Sequence, residues 1–189
     1  MKLCGLDFET ANFCNGSICA VGAALIENGV TIERLEYLIK PHQSMDYISP
    51  FCQDIHGIAY EDLRESPEFP EIWQRVRQLL VSANSVVIHN ASFDLRHLRN
   101  ILEIYNLPSV SFHYLCSLKL CRHHLAELPG YGLADMAEHF VITFQHHDAW
   151  KMRKPGATFS PGWIRPDYSA KHIIINKDQK NCKILMKFV

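Results

Sequence analysis

Apolar residues come in short, dense runs over the first forty positions. Residues 3–8 read as a buried strand leading into Glu9-Thr10, residues 18–27 as a second strand and residues 31–39 as a third. Asn28-Gly29 separates the last two as a hairpin signal, because both residues tolerate a positive φ. Pro41, Pro50 and Gly57 then punctuate what reads as a loop region around Asp54-Ile55-His56-Gly57-Ile58. Ile72, Val76, Leu79 and Leu80 share one face of a helix, and Ser85 to His89 forms a short buried strand. Leu95, Leu98, Leu102 and Tyr105 repeat at helical spacing before Pro108, a further strand is expected near 112–115, and helices near 117–125 and 133–140. Three strands in succession, then strands alternating with helices, predict an α/β fold: a mixed sheet flanked by helices. Past residue 150 the pattern fails. Lys154-Pro155-Gly156, Ser160-Pro161-Gly162 and Arg165-Pro166 break helices, and only Ile173-Ile174-Ile175 looks strand-forming. The expected organisation is one domain over 1–153 and an irregular tail over 154–189.

Composition sharpens that boundary. The chain has 189 residues, of which 48% are hydrophobic, enough for one ordinary domain core. The overall net charge of −1 conceals a division: residues 1–150 carry a net −8, and residues 151–189 a net +7. No run of about 18 apolar residues predicts a membrane span, and Met1-Lys2-Leu3-Cys4 runs straight into a strand without the regions of a signal peptide. Seven scattered cysteines without a C-x-x-C pair argue against a disulfide framework or a zinc knuckle. A reducing, cytoplasmic setting is the expectation. Near-neutral overall charge gives no long electrostatic track for nucleic acid, so any such function must rest on a local site.

Three groups of residues carry candidate chemistry. Asp7 and Glu9, two apart on a strand, point to one face while Phe8 points into the core. Adjacent carboxylates raise each other's pKa unless a cation lies between them, and hard ions such as Mg²⁺ or Mn²⁺ suit an all-oxygen site. In His89-Asn90-Ala91-Ser92-Phe93-Asp94 a buried strand gives way to a helix, with Asp94 in its first turn. The plain reading there is a helix start with Ser92 as N-cap and Asp94 favoured by the helix dipole. In Gln145-His146-His147-Asp148-Ala149 the histidine pair is either a surface feature or a source of a general base near neutral pH.

Taken in order and spacing, Asp7-Phe8-Glu9-Thr10, His89-Asn90-x-x-Phe93-Asp94 and His147-x-Ala149 resemble the motifs of the DEDDh 3′–5′ exonucleases, closest to the proofreading type found with bacterial DNA polymerase III. Further similarity runs through Gly16-Ser17-Ile18-Cys19, Ile55-His56-Gly57-Ile58, Leu118-Lys119-Leu120 and Tyr131-Gly132-Leu133, and so covers residues 1–150. The resemblance implies a ribonuclease H-like fold and a two-metal hydrolysis of phosphodiesters with Mg²⁺ or Mn²⁺. It implies that Asp7, Glu9 and Asp94 hold metal and that His147 deprotonates the attacking water. Thr10 and Ala11 would receive the terminal sugar, and Ile55, His56 and Gly57 would pack on the terminal base, with a tight turn as the competing reading of that loop. Implied partners are single-stranded nucleic-acid 3′ ends and a DNA polymerase.

The match breaks at one place. The third motif, His-x-Ala-x-x-Asp, calls for an acid at position 152, and the chain has Met152. Asp148 does not substitute, since it follows His147 by one helical step of about 100°. Relatives read Leu-Glu-Asp-Ala where this chain reads Trp150-Lys151-Met152-Arg153. One coding of the former, CTG GAA GAT GCG, gives Trp-Lys-Met-Arg when shifted by one base. A frameshift near codon 150 therefore accounts for the lost acid, the charge reversal and the broken periodicity together. The alternative is an evolved basic arm that contacts phosphates. Three functional readings follow: a metal-dependent exonuclease weakened at its fourth ligand, an inactive nucleic-acid-binding relative, and a polymerase-associated subunit.

Overall fold

The computed structural model describes residues 1–125 and 127–141, together with the strands 173–175 and 184–186. Strands β1 (Lys2–Thr10), β2 (Ile18–Glu27) and β3 (Val30–Leu38) form an antiparallel meander. The β2–β3 turn is built on Asn28 and Gly29, both with positive φ, which matches the right-handed twist of the flanking strands. Strands β4 (Ser85–Ile88) and β5 (Tyr114–Cys116) then add in parallel on the other edge of β1, giving the order β3-β2-β1-β4-β5. The mixed α/β sheet is the expected one.

Cys4, Leu6 and Phe8 alternate inward from β1 and meet Ile72, Trp73, Val76, Leu79 and Leu80 of α3 (Phe69–Ser82) in the main core. Leu98, Ile101 and Leu102 of α4 (Ala91–Ile104) enter the same cluster. Helices α5 (Ser117–His124) and α6 (Leu133–His139) lie close to where the spacing put them. The region read as loop around 41–57 is instead largely ordered as a 3₁₀ turn, Gln43–Met45, and helix α1, Pro50–His56, followed by the short α2, Tyr60–Leu63. Two of the three residues taken as loop punctuation, Pro50 and Gly57, instead bound a helix. Pro50 occupies the first helical position, where no N–H is needed, and Gly57 ends the helix in the left-handed conformation at φ 74°. A second apolar cluster of Ala11, Cys19, Leu38, Ile58 and Leu63 seats this segment against the end of β1.

In the tail, β6 (Ile173–Ile175) falls where a strand was expected, and it pairs antiparallel with β7 (Ile184–Met186). The other expectations for 154–189, and those for His147 and Met152, lie outside the described residues. No helix among the described residues is long and apolar enough to cross a membrane. The six described cysteines are all free thiols.

Candidate active site

The site grows from the place where β1 outruns its neighbour. Parallel pairing with β4 ends at Gly5↔Val87, while β1 continues to Thr10 along β2. Beyond that point the β4-side edge of β1 lacks a strand partner, and the Phe8 N–H is accepted by Asp94 Oδ1 at 3.0 Å. The register also shifts between Glu9 and Thr10, a bulge of the kind that re-aims side chains at a strand end. Asp94 arrives there because β4 turns sharply into α4 through Asn90, which holds φ 58° and ψ 48°. Asparagine is among the few residues that adopt this conformation readily. Asn90 is thus the helix N-cap. Ser92, read as the cap from sequence, lies inside the helix and donates its hydroxyl to Asn90 Oδ1.

Asp7, Glu9 and Asp94 are brought together by this geometry. Burial pushes the Asp94 carboxyl up to about 7, with the charge of Asp7 adding to it and the Phe8 amide opposing it. Burial raises Glu9 to about 8, with further contributions from Asp7 and Asp94. Asp7 is raised to about 6 by desolvation, although it stays exposed to solvent. Three carboxylates whose ionisation is opposed by burial and by one another form an all-oxygen donor set. That chemistry fits a hard divalent cation. Among the described residues no three His, Cys, Asp or Glu side chains close into a ready-made cage, so further oxygen ligands would come from water or a phosphate.

The residues expected to touch substrate divide. Ile55 is exposed on α1. His56 is not at the surface: it is 1% exposed, accepts the Ile58 N–H at Nδ1 (3.0 Å), and therefore carries its proton on Nε2, facing the Thr10 carbonyl at 3.2 Å. Burial holds its pKa below the usual value, which keeps it neutral. Instead of packing on a base, His56 is a strut that fixes the Gly57 turn to the end of β1. Ala11 is also buried. Its N–H donates to the Ser17 carbonyl and its carbonyl accepts from Ser49 N–H, so its N–H is committed within the fold. The Thr10 side chain hydrogen-bonds the Cys52 thiol.

Sequence reasoning missed what stands outside these buried groups. Phe13 is 73% exposed and Phe51 60% exposed, with ring centroids 5.7 Å apart. Phe13 and Phe51 form an exposed aromatic ledge; Tyr47, whose side chain reaches Cys14, and Ile55, one turn along α1 from Phe51, are exposed on the neighbouring segments. The helix that carries Phe51 lies near the carboxylate end of β1, since buried Cys52 of α1 feels the charge of Glu9. Buried Asn12 ties the segments around Phe13 and Tyr47 together, donating from Nδ2 to the Met45 and Tyr47 carbonyls, each at 2.9 Å, and accepting the Cys14 N–H. Exposed aromatics beside the first motif could have been noticed in Phe13, but nothing in periodicity marks Phe51.

Comparison with known proteins bears on the family and the fold. The profile of the exonuclease family of RNase T matches residues 4–151. The chain belongs to that exonuclease family. The match stops where the net charge reverses. A PolC-type DNA polymerase III of Caldanaerobacter subterraneus subsp. tengcongensis is 28% identical over 143 residues, covering 75% of this chain and 10% of the polymerase. The exonuclease thus spans about a tenth of the length of the curated relatives it matches. Among solved structures, exonuclease X in complex with 5′ overhanging duplex DNA aligns at TM-score 0.60 and 23% identity, covering 76% of this chain and 75% of that one. The nuclease domain of 3′hExo, a DEDDh family member bound to rAMP, aligns at TM-score 0.63 and 16% identity over 77% of this chain and 82% of that one. These likenesses share the ribonuclease H-like mixed sheet. The chain is a hydrolytic nuclease domain by family.

Proposed function

We propose that this chain is a metal-dependent 3′–5′ exonuclease acting on single-stranded nucleic-acid ends, weakened by Met152. The observation that carries the reading is the convergence of Asp7, Glu9 and Asp94, from two separate elements, into one electrostatically coupled group. Asp7, Glu9 and Asp94 would hold Mg²⁺ or Mn²⁺. Such ions would supply the positive charge that stabilises the attacking and leaving oxygens of an in-line displacement. Asp94 is held for this by the Phe8 amide. His147 is the assigned base that takes the proton of the attacking water, as a neutral imidazole can near pH 7.

The ledge of Phe13 and Phe51, with Tyr47 and Ile55 exposed on the neighbouring segments, favours an unpaired strand as substrate, because base faces that are stacked in a duplex cannot lie on exposed rings, whereas splayed bases can. Thr10 and Ala11 would shape the end of β1 from beneath, and Ile55 would meet a base. His56 and Gly57 would set the height of the turn rather than touch the base. The organisation proposed remains an exonuclease domain over 1–153 followed by a distinct tail, with a DNA polymerase as the partner that the PolC relatives suggest.

Met152 favours a second reading, a protein that holds 3′ ends with little cleavage. A thioether is a weak neutral acceptor where Mg²⁺ demands hard oxygen. A 5′-labelled single strand with a free 3′-hydroxyl separates the readings. Shortening one nucleotide at a time from the 3′ end, stopped by chelator, supports the exonuclease. Binding without shortening in Mn²⁺ supports the second reading. Cleavage that survives exhaustive chelation contradicts both.

A further inference from the structure

His97 is a polar residue in an apolar stripe. It lies on α4 between Asp94 and Ile101, is 3% exposed, and shares its helix face with Leu98, Ile101 and Leu102. A buried imidazole needs a hydrogen-bonding reason to be there. The structure gives one: Gly16 N–H donates to His97 Nδ1 at 3.1 Å, which makes the ring neutral with its proton on Nε2. The Phe93 ring packs against it with centroids 4.5 Å apart. Burial, with the nearby Arg96 charge, lowers the imidazole pKa to about 4, so the acceptor nitrogen stays unprotonated through the neutral range.

The other partner is equally constrained. Gly16 has φ 92°, and a Cβ there would stand 3.2 Å from Ile101 N and 3.4 Å from Asn100 C, both backbone of α4. The turn after β1 therefore lies close on the helix, against its backbone at 100–101 and the Ile104 side chain, whose Cδ1 would stand 3.1 Å from that Cβ. That turn is in turn welded to β1 through Ala11 N–H to Ser17 O at 2.7 Å and Ser17 Oγ to Asn12 O at 2.7 Å. The strand bearing Asp7 and Glu9 and the helix bearing Asp94 are joined at two points, Phe8 to Asp94 and Gly16 to His97, one helical turn apart.

We propose that His97 is a positioning residue whose bond to Gly16 sets the distance between Asp94 and the Asp7/Glu9 pair. The proposal rests on the reading of these three carboxylates as one site. His97 touches neither substrate nor metal. Its action is to hold α4 at the height where Asp94 receives the Phe8 amide. Leucine at 97 would fill the space but orphan the Gly16 N–H, whereas asparagine presents an oxygen near the position of Nδ1.

Amide hydrogen exchange on the metal-free full chain tests this, with His97→Leu and His97→Asn beside the parent. In His97→Leu the Phe8 and Gly16 amides are expected to exchange about 10–100-fold faster while the β1–β2 ladder amides are unchanged, and His97→Asn should recover most of the protection at both. Mn²⁺ affinity should fall by about 10–100-fold in His97→Leu and recover in His97→Asn, the size usual for groups that orient metal ligands. If Gly16 loses protection and Phe8 does not, the clamp does not position Asp94 and the proposal is overturned. If the exchange pattern holds but the parent binds no Mn²⁺, the positioning stands and the metal reading falls. Should His97→Leu not fold, the parent decides alone. Nitrogen NMR of its imidazole must show the Nε2–H form with no titration near pH 6.5, and an Nδ1–H ring or a freely titrating one overturns the proposal.

Discussion

Helix α4 turns Asp94 and His97 inward among leucines and isoleucines, whereas α1 turns Phe51 and Ile55 outward to solvent. A surface helix ordinarily does the reverse on both counts. The two departures have opposite chemistry and flank the same strand end. Buried acid whose ionisation is opposed by its surroundings favours a cation, and exposed aromatic surface favours a flat apolar ligand. On the proposed reading, a phosphate that pairs with such a cation and a base that stacks are what a nucleic-acid 3′ end would present. On that reading the two helices divide the work: α4 with β1 would hold the cation, and α1 with the Asn12 turn would hold the strand.

The largest expected effect lies in the third motif, which neither helix contains. Met152→Asp restores a hard ligand and should raise Mn²⁺ affinity and nuclease rate by at least about 10–100-fold, the scale seen even for groups one step removed from a metal. In that background His147→Ala should lower the rate by about 10²–10⁴-fold, the usual worth of a general base. Side-by-side rates on one labelled strand check both. A parent as fast as Met152→Asp would remove the argument from the missing ligand.

A smaller effect separates the two helices directly. Base stacking on an aromatic side chain is worth about 1–3 kcal/mol per base. Phe51→Ala should therefore weaken binding of a single-stranded oligonucleotide in chelator about 5- to 150-fold and leave folding intact, because the ring is mostly exposed. Fluorescence anisotropy measures this. Unchanged affinity in both Phe51→Ala and Phe13→Ala would strip the ledge of its role.

The smallest effect is on stability against pH, and the two buried polar residues of α4 pull in opposite directions. Asp94, Glu9 and Asp7 have folded pKa values near 7, 8 and 6, above their unfolded values near 4. Their contribution is fully present below pH 4 and is lost as pH rises through about 6–8. His97 has a folded value near 4, below the unfolded 6.5, so its contribution is present above pH 6.5 and lost as pH falls toward 4. The metal-free chain should melt at lower temperature at pH 8.5 than at pH 6, and Asp94→Asn should flatten that decline. Thermal melts in chelator across this range check the sign, and a melting temperature that rises steadily to pH 8.5 contradicts it.

Much of this was legible before the structure. The hairpin at Asn28-Gly29 and the alternation of Asp7, Phe8 and Glu9 follow from local chemistry, and three spaced motifs carried the family. Other features depend on contacts that no local pattern encodes. Pro50 and Gly57 are helix caps and loop breakers in the same alphabet, so α1 was hidden until Ala11, Ile58 and Leu63 were seen to seat it. His56 has the residue type of a substrate contact, and only its two hydrogen bonds show it to be a strut. His97 falls at a core position of a helical repeat, where its partner Gly16 lies 81 residues away in sequence.

The central claim is that Asp7, Glu9 and Asp94 form one cation site, and Mn²⁺ titration of the parent, Asp94→Asn and Phe51→Ala tests it most directly. Saturable Mn²⁺ binding should be present in the parent and in Phe51→Ala and be lost or weakened at least about 10-fold in Asp94→Asn. Equal binding by the parent and Asp94→Asn would contradict the account.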